Sequence, residues 1–281
     1  MNSDIKNDQF KMLNLACGSK VASAGNWTNV DFSSPIGDVI EMNILKGLSF
    51  SDNSFSVVYT AQFIEHLTLD QAKKVLQEVN RVLIPGGILR IVTPDLEELA
   101  SSYLESLNTL KDSASAFDVS KYNWLRIEMF DQIVRDYSGG EMKPYLAQVD
   151  DEMKKYLNER IGHSFYPRVT SNEKVKHFDT SDVFRKLRKI PKKLLNLTLS
   201  FFESRFSKIG RFRQSGEVHQ YLHDTYSLSH ILAASGFISI SKVNPHVSAI
   251  QNWQTYELDV INGQIDGPLA LYMEAQKPIG K

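Results

Sequence analysis

Residues 11–31, KMLNLACGSKVASAGNWTNVD, decide the fold. Met12–Leu15 reads as a short apolar strand, Ala16–Lys20 as a tight small-residue turn, and Trp27–Phe32 as a second strand carrying Asp31 near its end. Strand, turn, brief crossover and strand-end acid open a nucleotide-type α/β fold. A ligand's polar end lies over the turn, and the acid can accept from two vicinal hydroxyls. The turn places Cys17-Gly18-Ser19 between Ala16 and Lys20, so the full G-x-G-x-x-G spacing is missing. Twelve residues separate Gly18 from Asp31, little room for a full crossover helix. A pyrophosphate needs close backbone approach and donors at a helix start. A smaller adenosine ligand without phosphates fits this turn better than a dinucleotide.

The alternation continues downstream. Asp38–Met42 reads as a third strand, Ser49–Phe55 as a turn and Ser56–Thr60 as a fourth strand. A helix is predicted from about Thr68, with Thr68 or Asp70 as N-cap. Ala72, Val75, Leu76, Val79, Val82 and Leu83 keep the 3.6-residue rhythm of an apolar helix face. Pro85-Gly86-Gly87 ends it, and Ile88–Thr93 is a buried strand stopped by Pro94. Repeated strand and helix predict a parallel sheet with right-handed crossovers.

From about Leu96 to Ser215 the strand rhythm gives way to helical patterns, broken at Ser138-Gly139-Gly140, Tyr166-Pro167 and Ile190-Pro191. Ser227–Ser235 then reads as a helix closed by Gly236, Phe237–Val243 as a strand and Leu269–Ala275 as the last strand. The reading is an α/β core in two segments, 1–95 and 216–281, around a helical insertion over 96–215.

At 42% hydrophobic and 23% charged the chain has an ordinary globular composition. Its net charge of −1 gives no global case for nucleic-acid binding. Cys17 is the only cysteine, which excludes an internal disulfide and a cysteine metal cluster, and no metal ligand set is assigned. No signal-peptide pattern opens the sequence and no apolar run spans a bilayer, so the expectation is a cytoplasmic protein, at most peripheral to the inner face of a membrane. Between Lys174 and Arg213, twelve Lys and Arg stand against three acids, a local charge of +9. Apolar residues interleave with these charges. Such a segment lies on an anionic membrane surface, or packs its apolar face on the core.

Six motifs occur in order: Leu13–Ser19 (LNLACGS), Asn29–Phe32 (NVDF), Leu48–Phe55 (LSFSDNSF), Val58–Leu67 (VYTAQFIEHL), Arg81–Gly87 (RVLIPGG) and Arg90–Asp95 (RIVTPD). Together they resemble the class I S-adenosylmethionine (SAM)-dependent methyltransferases, in the broad group with E-H-L after the fourth strand. Residues 216–240 (GEVHQYLHDTYSLSHILAASGFISI) and the closing LYMEAQKP resemble a bacterial subgroup associated with surface-glycan biosynthesis. The resemblance implies a Rossmann-like, mostly parallel seven-stranded sheet with helices on both faces and a large helical insertion. It implies SAM as cofactor and S-adenosylhomocysteine as product. Ala16, Cys17 and Gly18 would lie under the methionine part, Asp31 would take the ribose hydroxyls, Met42 and Asn43 would contact adenine, and Gln62 would lie beside the donor. Asn14 stands where many relatives have an acid, Ala16 replaces the commonest first glycine, and Asn43 replaces a frequent Asp.

The acceptor side is read from His66, Asp131 and His219 as candidate general bases, and from Glu128, Arg135, Asp224 and Tyr226 as candidate acceptor contacts. Each has a plainer reading. His66 is a hydrogen-bonded structural histidine or a base. Glu128, Asp131, Gln132 and Arg135 share a helix face that is either solvated, with Asp131 and Arg135 as an i, i+4 pair, or turned to substrate. His219, Asp224 and Tyr226 line the acceptor pocket or belong to a polar linker. The function implied is methyl transfer to an acceptor hydroxyl, a sugar of a bacterial surface glycan or its precursor. A small-molecule, lipid or protein N- or O-methyltransferase is the first alternative. A non-catalytic SAM-fold module that binds a membrane or partner through its basic segment is the second.

Overall fold

The computed structural model describes residues 11–23, 26–34, 36–112, 114–162 and 205–279. Four parallel strands come first: β1 (Met12–Leu15), β2 (Trp27–Asp31), β3 (Val39–Glu41) and β4 (Phe55–Ala61). Helix α1 (Leu69–Val82) begins at a capping box: Thr68 accepts from the Gln71 backbone N–H, and Gln71 accepts from that of Thr68. Its apolar face, Ala72, Val75, Leu76, Val79 and Val82, is buried as the periodicity requires. β5 (Leu83–Pro94) follows directly. Its register against β4 shifts between the Leu83 and Ile88 pairs, so Pro85-Gly86-Gly87 forms an irregularity inside the strand. A side chain on Gly87 would meet the Ile84 carbonyl oxygen at 2.9 Å, which fixes glycine there.

The insertion carries α2 (Leu96–Asp112), α3 (Ala116–Val134), α4 (Met142–Leu146), α5 (Asp151–Ile161) and α6 (Arg205–Arg213). Trp124, Met142, Leu146, Met153 and Leu157 give α3–α5 a small core of their own. The breaks expected at Tyr166-Pro167 and Ile190-Pro191, and most of the basic segment, lie outside the described residues. No helix among the described residues is long and apolar enough to cross a membrane. The chain returns through α7 (Thr225–Ala234) and β6 (Ile238–Lys242). A connection over 244–269, with the short strands β7 (Val260–Ile261) and β8 (Gln264–Ile265), leads to β9 (Ala270–Gln276).

The main sheet has seven strands in the order β3-β2-β1-β4-β5-β9-β6, parallel except for β9, which runs antiparallel to both neighbours. Side chains alternate across it. Leu13, Leu15, Val58, Leu89, Ile91, Leu271 and Met273 meet α1 and α7 on one face. Met12, Val57, Tyr59, Val92 and Tyr272 meet Ile250, Trp253 and Leu258 of the 244–269 connection on the other. The sequence reading left that connection without structure, yet it roofs half the sheet. The chain runs outward from β1 to β2 and β3, then restarts at β4 and proceeds the other way. The carboxyl ends of β1 and β4 therefore flank the topological switch point, where ligands enter open α/β sheets.

Candidate active site

A cavity of about 430 Å³ opens at that switch point. Asn14, Ala16, Cys17, Gly18 and Lys20 line it from β1 and its turn, and Tyr59, Ala61 and Gln62 from the end of β4. Ala16 and Gln62 hold left-handed backbone at φ 54° and 52°, a conformation that costs energy outside glycine and concentrates at functional sites. Gly18 is also left-handed, at φ 55°, and the space where its Cβ would stand is open to 4 Å.

Buried Asn14 shapes the turn. Its amide Nδ2 donates to the Lys20 carbonyl at 2.8 Å and to Asn29 Oδ1 at 2.9 Å. An acid at this position could donate neither bond, so the asparagine suits its own surroundings. Cys17 is buried and its thiol is pushed up to about 11, by burial first and by Asp31 second. A thiol held protonated is no nucleophile. Lys20 pairs with Asp266 at 2.6 Å, tying the turn to the 244–269 connection across the cavity wall.

The opposite wall comes from three separated stretches. The short helical turn Ile64–His66 follows β4 and presents His66. α3 presents Glu128 and Gln132, and α5 presents Arg160. The segment leaving the insertion is stitched between them. His219 N–H donates to the Gln132 carbonyl, Gln220 and Tyr221 N–H both donate to the Glu65 carbonyl, and His223 bridges Asp95. This brings His219 to His66, with ring centroids 4.8 Å apart and nearly perpendicular. His66 Nδ1 faces the Val218 carbonyl at 3.4 Å, and His219 Nε2 faces the Gln132 amide at 3.1 Å. Burial lowers the pKa of His66, while burial, His66 and Arg135 together hold His219 well below the usual histidine range. Both are neutral imidazoles at neutral pH.

Glu65, between Ile64 and His66, is fully buried, and burial pushes its carboxyl up to about 8. Thr93 donates to its Oε2 at 3.1 Å. The sequence reading assigns this residue no role beyond its place in E-H-L, although an acid directly after the apolar Phe63-Ile64 pair at a strand-to-helix turn is a visible signal. Glu128 pairs with Arg160 at 2.6 Å, and its pKa is raised because burial outweighs that partner. Arg160, Asp95 and Glu98, which also line the cavity, carry no site expectation from the sequence.

Of the expected site residues, Ala16, Cys17, Gly18, Gln62, His66, Glu128 and His219 line this one cavity. Asp31, Met42 and Asn43 lie outside its lining, beyond the turn. Asp31 accepts the Gly18 N–H, Met42 packs on the main core, and exposed Asn43 caps a short turn through the Leu45 N–H. Four expectations are corrected. Asp131 does not reach the cavity, because Oδ2 pairs with Arg135 at 2.7 Å and Oδ1 accepts the Glu141 N–H at 2.6 Å. Arg135 pairs with Asp131 and Glu217 and does not line the cavity. Asp224 caps α7 through the Ser227 N–H, and Tyr226 is 82% exposed on that helix. The α3 face is thus divided: Asp131 and Arg135 form the i, i+4 pair, buried rather than solvated, while Glu128 and Gln132 turn to the cavity.

Residues 14–91 match the family model described as "Methyltransferase domain". A probable methyltransferase from Aspergillus luteorubrus, ltbC, is 32% identical over a match covering 28% of this chain and 38% of that protein. A SAM-dependent methyltransferase structure from Methanosarcina mazei is 25% identical, covering 35% of this chain and 60% of that one, with a TM-score of 0.29. A SAM-dependent methyltransferase structure from Mesorhizobium loti is 13% identical over 96% of this chain and 92% of that one, with a TM-score of 0.39. The chain spans well under half of the curated relative and about three fifths of the archaeal one. The sheet order and its reversed β9 make a Rossmann-like, mostly parallel seven-stranded sheet of the kind found in methyltransferases, and the methyltransferase-domain match runs from β1 into β5 of it.

Proposed function

We propose that the protein is a SAM-dependent methyltransferase acting on an acceptor hydroxyl, a sugar of a surface glycan or its precursor. One observation carries the reading. A single cavity at the switch point joins the left-handed Ala16–Gly18 turn and Gln62 to a wall of two imidazoles, the Gln132 amide and the Glu128–Arg160 pair. The turn fits the donor: its backbone leaves open space over Gly18, and Asp31 beyond it presents a carboxylate to a ribose diol. When bound, SAM supplies an electrophilic methyl on sulfonium, whose departure as a thioether needs no acid.

The chain's own residues therefore align, exclude water and take a proton. Ala16–Gly18 and Gln62 hold the donor side. Gln132, Glu98 and Glu128 offer polar atoms that suit hydroxyl groups better than an apolar acceptor. His219 and His66 are neutral and accept the proton the hydroxyl loses as its oxygen attacks. The glycan assignment is supported by the resemblance of residues 216–240 and by this polar lining. Contact of the basic segment with an anionic membrane, in a cytoplasmic setting, belongs to the same proposal.

Calorimetry with SAM and S-adenosylhomocysteine, followed by S-adenosylhomocysteine release in the presence of sugar and nucleotide-sugar acceptors, tests the reading. Binding of both, with release dependent on a sugar, is the expected result. Failure of both ligands to bind overturns the enzyme assignment. Binding with release only on amine or lipid acceptors overturns the glycan part alone.

A further inference from the structure

We propose that Glu65, His66 and His219 form a binding site for one divalent transition-metal ion of the zinc or cobalt kind. One potential ligand atom from each residue lies within 4.8 Å of the other two. Three points so spaced share a centre within about 2.8 Å of each, and metal–ligand bonds of about 2.0–2.2 Å need each atom to close by roughly 0.7 Å.

Each ligand has one side-chain atom held by a partner, which leaves another atom for a metal, as ligating side chains are commonly fixed. Glu65 is held at Oε2 by the Thr93 hydroxyl. His66 is held at Nδ1 by the Val218 carbonyl, which leaves Nε2 with its lone pair. His219 is held at Nε2 by the Gln132 side chain. With that amide turned so that its oxygen accepts the Nε2 proton, Nδ1 is the ligating nitrogen.

A second observation points to a cation. Glu65 is wholly buried, and its Oε1 has no hydrogen-bond partner among the described residues. A buried carboxyl oxygen without a partner is costly, and a bound cation, taking the place of the acid proton, satisfies it. Two imidazoles with one carboxylate suit zinc, cobalt or ferrous iron, whereas magnesium and calcium prefer all-oxygen sets. Three protein ligands leave a coordination position open, and His66 and His219 both line the cavity, so that position is reached from it. There an ion would polarise an acceptor oxygen and ease loss of its proton; in that loaded state His66 and His219 act as ligands in place of their role as proton acceptors. That role rests on the methyl-transfer reading; the site itself does not.

The test uses the untagged full chain, stripped with a chelator and titrated with Co²⁺, with ligand-field absorption and bound metal as readouts. One equivalent of Co²⁺ with a visible spectrum, displaced by Zn²⁺ and unaffected by Mg²⁺, is expected. His66→Gln and Glu65→Gln, each checked by thermal melting, should weaken Co²⁺ binding at least tenfold. His66 lies at the cavity wall and its substitution leaves the buried core untouched, so it serves as the test if Glu65→Gln fails to fold. No stoichiometric uptake by the stripped chain, or unchanged uptake in folded His66→Gln, overturns the site. S-adenosylhomocysteine calorimetry on the same sample reads the methyltransferase assignment separately, since either result can fail without the other.

Discussion

The backbone N–H of Gly18 donates to Asp31 Oδ2 at 2.7 Å, so the first turn of the chain and the acid ending the second strand are one unit. That bond joins those of Asn14 and the Lys20–Asp266 pair in holding the turn, where Gly18 stands at φ 55°. The Asp31 carboxylate is half-buried and offers about four lone-pair positions, of which the turn uses only some. It can hold the turn and a ribose diol together.

Asp31→Ala should therefore lower affinity for S-adenosylhomocysteine through both lost diol contacts and a loosened turn. Charged hydrogen bonds contribute about 1.5–3 kcal/mol each, so losing two predicts a fall of roughly 100-fold or more by calorimetry. Asp31→Asn, which keeps one acceptor oxygen, should fall between the variant and the parent. Equal affinity in all three would remove Asp31 from the site.

Two glycines with similar backbone should respond differently to alanine. Gly18 and Gly140 have φ of 55° and 45°. A Cβ on Gly18 meets nothing within 4 Å, so Gly18→Ala should cost only the left-handed penalty, about 1–2 kcal/mol. A Cβ on Gly140 would collide with the Asp131 carboxylate, which is fixed by Arg135 and the Glu141 N–H. Gly140→Ala should cost about 2 kcal/mol more than Gly18→Ala, read as the difference in urea midpoints at constant slope.

The legible parts of the chain were those with local signals. Thr68 and the 3.6-residue apolar rhythm from Ala72 to Val82 announce a helix and its start, and Met12–Leu15 and Ile88–Thr93 announce strands as mainly apolar runs between turn signals. The 244–269 connection has no period, and its partners lie across the sheet. Trp253 packs on Tyr59, and Asp259 accepts from Tyr59 and Arg90. One clue was present. Arg90 interrupts one apolar strand and Glu274 another, and they are direct partners in the β5–β9 register. The cavity wall was half legible for a similar reason. Helical spacing puts Glu128, Asp131, Gln132 and Arg135 on one face, but only the packing of α3 against 216–219 decides which two turn inward.

His223 is buried, and neither ring nitrogen has a hydrogen-bond partner among the described residues. Burial lowers its pKa to about 4, only partly opposed by Asp224. In the unfolded chain an imidazole titrates near 6.5, so between about pH 6.5 and 4 the unfolded state binds a proton that the folded state does not. The contribution of His223 to stability is thus whole above pH 6.5 and is lost as the pH falls through 4, a total of about 3 kcal/mol. His223→Leu removes this titration. Urea unfolding at pH 7 and pH 5 should show a smaller drop in midpoint for the variant than for the parent. An equal drop in both would mean His223 does not titrate differently on folding.

Arg90 is fully buried on the face of the sheet roofed by the 244–269 connection. Its guanidinium donates to Asp259 at 2.6 Å, to Glu274 at 2.6 Å and to the Val247 carbonyl at 3.0 Å, and it lies 4.9 Å from the Trp253 ring centre. Removing the cation leaves two acids without it in a place water does not reach. Asp259 keeps the Tyr59 hydroxyl and the Trp253 indole, and Glu274 keeps Ser248 and the Ala249 N–H, but none of these carries positive charge. Arg90→Met should therefore cost about 3–5 kcal/mol, the price of an uncompensated buried charge rather than of lost volume. Adding Glu274→Met and Asp259→Asn should recover part of that loss, because the charges that made it costly are gone. If the triple variant is no more stable than Arg90→Met in urea, the cost lies in packing against Trp253 and Tyr272. If it recovers, the ion cluster specifies where the connection docks, and Tyr59, which reaches both the cluster and the cavity, couples that docking to the site.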